Sequence, residues 1–221
     1  MAVDFRDEAP AILKDYLIYK QTIKNMSKKT VDEYFIDLRT FFRFLKVMRG
    51  LVPDGTEFDE IKIDDVDLDS IKTVNLELAY DYMNFLYRDR NNKSAFRARN
   101  CSSLKGFFKY ISNNKHLLDT NPVEQLESPK NKKALPKYLP LEQSIAHLNA
   151  VDGNNKQRVY SILTLFLNCG LRVSEMAGLN YNDIHSDGTM RVVGKGNKER
   201  IVYLNSACID AYNEQIGSAH V

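Results

Sequence analysis

The 221 residues contain no tryptophan and no Cys-x-x-Cys pair. The three cysteines, Cys101, Cys169 and Cys208, stand far apart and are odd in number. That usage argues against a disulfide framework or a zinc site and fits a reduced, cytoplasmic protein. The four histidines (His116, His147, His185, His220) are dispersed, which argues against a zinc hydrolase. There is no Gly-x-Ser-x-Gly elbow. Gly194-Lys195 resembles the end of a phosphate-binding loop. However, no glycine stands at the required spacing before it, and Gly196 occupies the position of the metal-binding Ser or Thr. No apolar run approaches the ~18 residues of a membrane span. The polar, acidic start of the chain does not read as a signal peptide.

The composition is 43% hydrophobic and 27% charged, which supports a core in one large or two small domains. The net charge of +2 conceals strong blocks. Lys20 to Arg49 holds eight bases against three acids, and Pro53 to Asp81 holds ten acids against Lys62 and Lys72. Leu86 to Lys115 holds eight bases against Asp89, and Ser128 to Leu139 has four lysines, two prolines and no acid. Each block alone reads as a solvated helix face. Two basic helical segments and a basic linker in one small chain point to a polyanion.

Periodicity makes the first part helical. Ser27 is placed to cap a helix in which Val31, Tyr34, Phe35, Leu38, Phe41, Phe42 and Leu45 form one apolar stripe. Asn75 caps a second helix with Leu78, Tyr82, Phe85 and Leu86, and Ser94 opens a third with Phe96, Leu104, Phe107, Phe108 and Ile111. Phe41, Phe42, Phe107 and Phe108 recur at helical spacing, which marks them as core rather than as base-stacking platforms. Domain limits follow: residues 1–127 helical, 128–139 a basic linker, and 140–221 a second domain. In that domain Leu141–Ala150 reads as an amphipathic helix. Tyr160–Leu167 reads as a buried helix capped by Gly170, and Arg172–Leu179 as a short helix. A hairpin, MRVV-GKGNKE-RIVYL, precedes a last helix from Ser206, with Gly217-Ser218-Ala219 reading as an added or altered end rather than helix.

Two side chains stand out. Arg172 follows the buried helix and opens the next, with Glu175 three residues on, able to orient the guanidinium. The pair reads either as an anion site or as a structural ion pair at a domain corner. Lys195 sits at the hairpin tip near Lys198 and Arg200. It reads as a phosphate contact or proton donor, or as a charge for solubility.

Together these features resemble the tyrosine recombinases of the phage-integrase and Xer type. Ser27-Lys-Lys-Thr30, Tyr34, Asp37-Leu38, Phe41, Phe44-Leu45, Phe107-Phe108-Lys-Tyr110 and Asn121-Pro122 resemble that family's core-binding domain. Leu135-Pro136-Lys-Tyr-Leu139 resembles its linker. Cys169-Gly-Leu-Arg172-Val-Ser-Glu175 and Gly194-Lys-Gly-Asn-Lys-Glu-Arg200 resemble the catalytic arginine box and lysine hairpin. The resemblance implies a mainly α fold. A helical, SAM-like core-binding domain would join an α+β catalytic domain with a small antiparallel sheet, and the two would clamp duplex DNA. It implies a covalent 3′-phosphotyrosine reaction without metal, cofactor or small-molecule substrate. Arg172 would bind phosphate, Glu175 would support it, and Lys195 would act as general acid. Candidate DNA contacts are Lys28, Lys29, Arg39, Arg43, Arg97, Arg99, Lys198 and Arg200. Partners would be double-stranded DNA and, on it, a second copy or another recombinase, with no membrane.

The pattern breaks toward the C-terminus. None of His116, His147 or His185 has arginine three residues on, His220 is followed only by Val221, and no late tyrosine follows. Tyr203 and Tyr212 come too early and read as strand and helix-packing residues. The expectation is a truncated catalytic domain that binds DNA without cutting, with apolar surface exposed at Phe166 and Leu167. The alternatives are a non-catalytic regulator or decoy of a full-length recombinase and, on the acidic stretch alone, a helical adaptor.

Overall fold

Helix starts are set by side chains that accept the orphan N–H groups of the first turn. Ser27 accepts from Thr30, Asp67 from Ser70 and Asn75 from Leu78. The computed structural model describes residues 5–130, 135–194 and 196–219. The chain divides into two compact units, Met1–Ala134 and Leu135–Val221.

The first unit is helical: α1 (Phe5–Glu8), α2 (Ala11–Thr22), α3 (Lys28–Met48), α4 (Leu68–Lys72), α5 (Leu76–Arg88) and α6 (Ser94–Lys109). The apolar stripe of α3 packs on α2 and α6. Phe41, Phe42, Phe107 and Phe108 are buried at the centre. Phe42 meets Phe107 edge-on at 5.5 Å between centroids, and Tyr16 meets Phe107 likewise at 5.5 Å. These aromatics are core, as their spacing predicts. Gly106 sits inside α6 because a side chain there would collide with the Tyr16 hydroxyl, 2.7 Å from the position of a Cβ. The acidic stretch folds back on the basic helices. Arg43 meets Asp59 at 3.3 Å, Arg90 meets Asp59 at 3.2 Å, and the buried Lys46 meets Asp65 at 2.7 Å.

The second unit holds α7 (Leu141–Asn149), α8 (Lys156–Cys169), α9 (Val173–Ala177), β1 (Thr189–Val193), β2 (Glu199–Tyr203) and α10 (Ser206–Ala219). The strands form one antiparallel hairpin in which Thr189 faces Tyr203 and Val193 faces Glu199. Its core gathers Leu165, Leu171, Met190, Val192, Leu204 and Cys208. Gly170 ends α8 in the left-handed region, φ 57°, as its position predicts.

Two expectations fail here. The apolar run of α8 is only half-buried: Ser161, Thr164 and Leu165 face inward, while Val159 and Leu167 are 41% and 42% exposed. The inward seam follows the i, i+3, i+4 spacing and lies against α10, where the Ser161 hydroxyl donates to the Ala211 carbonyl. Off that seam the cover is partial: Ile162, Leu163 and Phe166 are half-buried. Leu167 is thus exposed as expected, whereas Phe166 packs partly against the core. The last helix also does not stop before Gly217; α10 runs through Gly217 and Ser218 to Ala219.

Candidate functional site

Glu175 organises the polar part of the second unit. The chain leaves α8 through left-handed Gly170 and restarts at Arg172, whose extended backbone (φ −80°, ψ 154°) forms the N-cap of α9. Glu175 occupies the third position of α9, from which a carboxylate reaches back to the cap. Its Oε2 accepts the Arg172 backbone N–H at 2.9 Å. That bond holds the side chain inward, at 1% exposure.

A buried carboxylate needs partners, and two guanidinium groups supply them. Arg172 Nη1 donates to Oε1 at 2.8 Å. Arg200, on β2, donates from Nη1 to Oε1 at 2.8 Å and from Nη2 to Oε2 at 3.0 Å. The Arg200 fork, then the Arg172 N–H and guanidinium, hold the Glu175 carboxyl down at about 2. Arg172 remains 70% exposed and Arg200 39%. Two cations therefore share one buried anion. A net positive charge faces solvent from oriented guanidinium groups, an arrangement able to receive an oxyanion.

The hairpin passes close to this carboxylate at Gly194. A Cβ on Gly194 would stand 3.1 Å from Glu175 Oε1. The Gly194 N–H donates to the Lys198 carbonyl at 2.7 Å and closes the tip, which turns through Gly196 (φ 76°) and Asn197 (φ 58°). Lys198 is exposed there. Lys195 lies outside the described residues.

The other strand of the hairpin repeats the device. Asp183, third residue of a 3-10 turn, accepts the Asn180 backbone N–H at 2.9 Å. It also receives Arg191 of β1, from Nη2 at 2.9 Å and Nε at 3.1 Å. The Asn180 N–H, then Arg191, lower the Asp183 carboxyl below its ordinary range. Sequence reading missed this pair. The local half was signalled by an acid three residues after a cap-forming Asn, the spacing also seen at Arg172 and Glu175; nothing in the spacing marked Arg191.

The proposed contacts of the first unit divide into two kinds. Lys28 and Lys29, in the first turn of α3, are exposed. Arg97 lies over the Tyr87 ring at 4.5 Å. Arg39, Arg43 and Arg99 are each tied to acids. Arg39 meets Glu8 at 2.9 Å, Arg43 meets Asp59, and Arg99 meets Asp37 at 3.0 Å and Glu33 at 3.5 Å. Asp37 is a buried acid that sequence reading assigned to no site.

The cysteines are free. Cys169 and Cys208 nevertheless approach to 3.9 Å between sulfurs, and burial pushes the Cys208 thiol up to about 12. Among the described residues no three His, Cys, Asp or Glu cluster as a metal would need, and no helix is long and apolar enough to cross a membrane.

The first unit is all-helical and the second sets an arginine box beside a basic hairpin, and comparison with known proteins gives the family. Residues 137–221 match the phage integrase family, and the chain belongs to the tyrosine recombinases of that family. It is 47% identical over 207 residues to tyrosine recombinase XerC of Caldanaerobacter subterraneus subsp. tengcongensis, covering 94% of this chain and 58% of that protein. It is 34% identical over 204 residues to XerC of Myxococcus xanthus, covering 90% and 61%. The chain thus spans about three fifths of the length of these curated relatives. In fold it is similar to the site-specific recombinase XerH bound to a palindromic difH substrate, with TM-score 0.65, 18% identity, and 92% and 56% of the two chains covered. A lambda integrase dimer bound to a COC′ core site is also similar, with TM-score 0.58, 17% identity, and 92% and 53% covered.

Proposed function

We propose that this chain binds duplex DNA as part of a site-specific strand-exchange reaction and that its second unit grips the reacting phosphate. The observation that carries this reading is the buried Glu175 carboxylate holding two exposed guanidinium groups, those of Arg172 and Arg200. An arginine fork held from behind matches the geometry of phosphate oxygens and requires no reorganisation as charge builds on them. In this reading Arg172 binds the non-bridging oxygens, Glu175 fixes its orientation, and Lys195 protonates the leaving 5′ oxygen. Lys28, Lys29, Arg97, Arg99 and Lys198 meet backbone phosphates. Apolar surface at Leu167 (42% exposed), Val173 (78%) and Tyr181 (68%) supports association with a second recombinase copy on DNA.

The 221 residues contain no His-x-x-Arg and no tyrosine late enough to match the family's nucleophile. In this reading the 221 residues by themselves bind DNA and leave it intact. Anisotropy titrations on a labelled duplex at two salt concentrations test the binding, which should be tight at low salt and fall steeply as salt rises. Absence of binding at low salt overturns the reading. A covalent adduct on a nicked suicide duplex overturns its non-cutting half.

A further inference from the structure

Asp37 lies in the middle of α3 with its side chain 1% exposed. Its Oδ2 accepts the Ser103 hydroxyl of α6 at 2.7 Å. Its Oδ1 is buried and has no well-aligned hydrogen bond, and the Arg99 guanidinium stands beside it, with Nη2 at 3.0 Å. Arg99 is at the rim, 36% exposed. It stacks over Phe96 at 5.0 Å and lies 3.5 Å from Glu33. The titratable groups around Asp37 are Glu33 and Tyr34 on α3, Tyr82 on α5 and Arg99 on α6.

An ionised carboxylate buried with one oxygen otherwise unmet is strongly unfavourable once its cation leaves. While Asp37 is charged, moving Arg99 into solvent leaves that carboxylate buried without its cation. A side chain that would otherwise sample many rotamers is held by the carboxylate behind it and the Phe96 ring below it. Glu175 stands behind Arg172 in the same way, in a different unit and on a different helix. In both cases a nearly inaccessible acid holds a solvent-facing guanidinium.

We infer that Asp37 is a positioning residue for DNA: it fixes Arg99 so that the outward N–H groups of the guanidinium meet a backbone phosphate. The inference rests on the reading that this chain binds duplex DNA. A guanidinium already ordered before the encounter loses little freedom on binding, so its phosphate contact contributes more than that of an unsupported arginine. Burial pushes the Asp37 carboxyl up to about 6, so mild acid removes the anchoring charge without any substitution.

The test is anisotropy over a salt series, with a fluorescein-labelled mixed-sequence duplex as probe. The variants are wild type, R99Q, D37N and the double variant, at about pH 7.5 and about pH 5. At neutral pH, R99Q should lower the slope of log K against log salt by about 0.9, the value of one lost phosphate contact. In the D37N background, and in wild type at acid pH, the same substitution should change slope and affinity by less than half as much. An equal effect of R99Q in both backgrounds and at both pH values overturns the positioning role while leaving DNA binding intact. Absence of wild-type binding at low salt overturns both. If D37N fails to melt cooperatively, wild type and R99Q compared at the two pH values decide the question alone.

Discussion

Arg200 meets Glu175 through two parallel hydrogen bonds, 2.8 and 3.0 Å long, that join the second strand of the hairpin to the first turn of α9. The arginine box and the hairpin are thus one polar assembly built on one carboxylate.

Replacing that carboxylate should loosen the assembly. With E175Q, both guanidinium groups lose their anion and the Arg172 cap loses its charge-assisted acceptor. The thermal midpoint should fall by several degrees at neutral pH. The sign with pH follows from the lowered carboxyl. The folded state holds Glu175 ionised to about 2, below its ordinary 4.5. The stabilisation is therefore complete above about pH 4.5 and is lost as pH falls toward 2. Melting curves of wild type and E175Q should differ at pH 7 and converge in strong acid; a constant gap would refute the assignment.

A side chain at position 194 should fit only if its neighbours shift. A methyl at 3.1 Å from Glu175 Oε1 forces the hairpin tip or the carboxylate to move. G194A should cost about 1–3 kcal/mol, the range for overpacking a tight site, and should weaken DNA affinity together with R172A rather than additively. Chemical denaturation and a double-mutant cycle on DNA binding measure both.

Asp37 should make the chain more stable in mild acid, the reverse of Glu175. Burial is the leading cause of its raised carboxyl, ahead of the opposing Ser103 and Arg99 contacts. Between the ordinary range and about 6 the folded state binds more protons than the unfolded one, so stability rises as pH falls through that window. Urea midpoints of wild type minus those of D37N, taken from pH 7 to pH 4, isolate this term from the paired surface acids. A flat difference would exclude it.

Helix positions and core were legible where one local rule decided them. Ser27 and Asn75 announce their helices by capping chemistry, Gly170 ends α8 by its conformational freedom, and the Phe41, Phe42, Phe107 and Phe108 stripe can face only inward. Arg172 and Glu175 were legible because their contact is local, three residues apart on one helix. The Arg200 fork, the Asp183–Arg191 pair and the Asp37–Ser103–Arg99 network join residues eight to sixty-six positions apart, and no periodicity carries such pairings. Tyr160–Leu167 misled for a related reason. Apolar composition gives the capacity to be buried, but which face finds a neighbour depends on the surrounding fold, and here two small hydroxyl residues, Ser161 and Thr164, take the inward seam.

The acidic stretch folded against α3 has a consequence for how this protein responds to electrolyte. A lysine or arginine that neutralises a phosphate sets free the cations condensed on the nucleic acid, and that release makes binding salt-dependent. Arg43, Lys46 and Arg90 already hold Asp59 and Asp65, and those carboxylates are tethered to the chain. A phosphate that displaces them still frees the condensed cations. It leaves behind bare carboxylates that gather cations from the medium. The protein carries built-in counterions, so its sensitivity to salt should be shallower than its tally of basic side chains suggests.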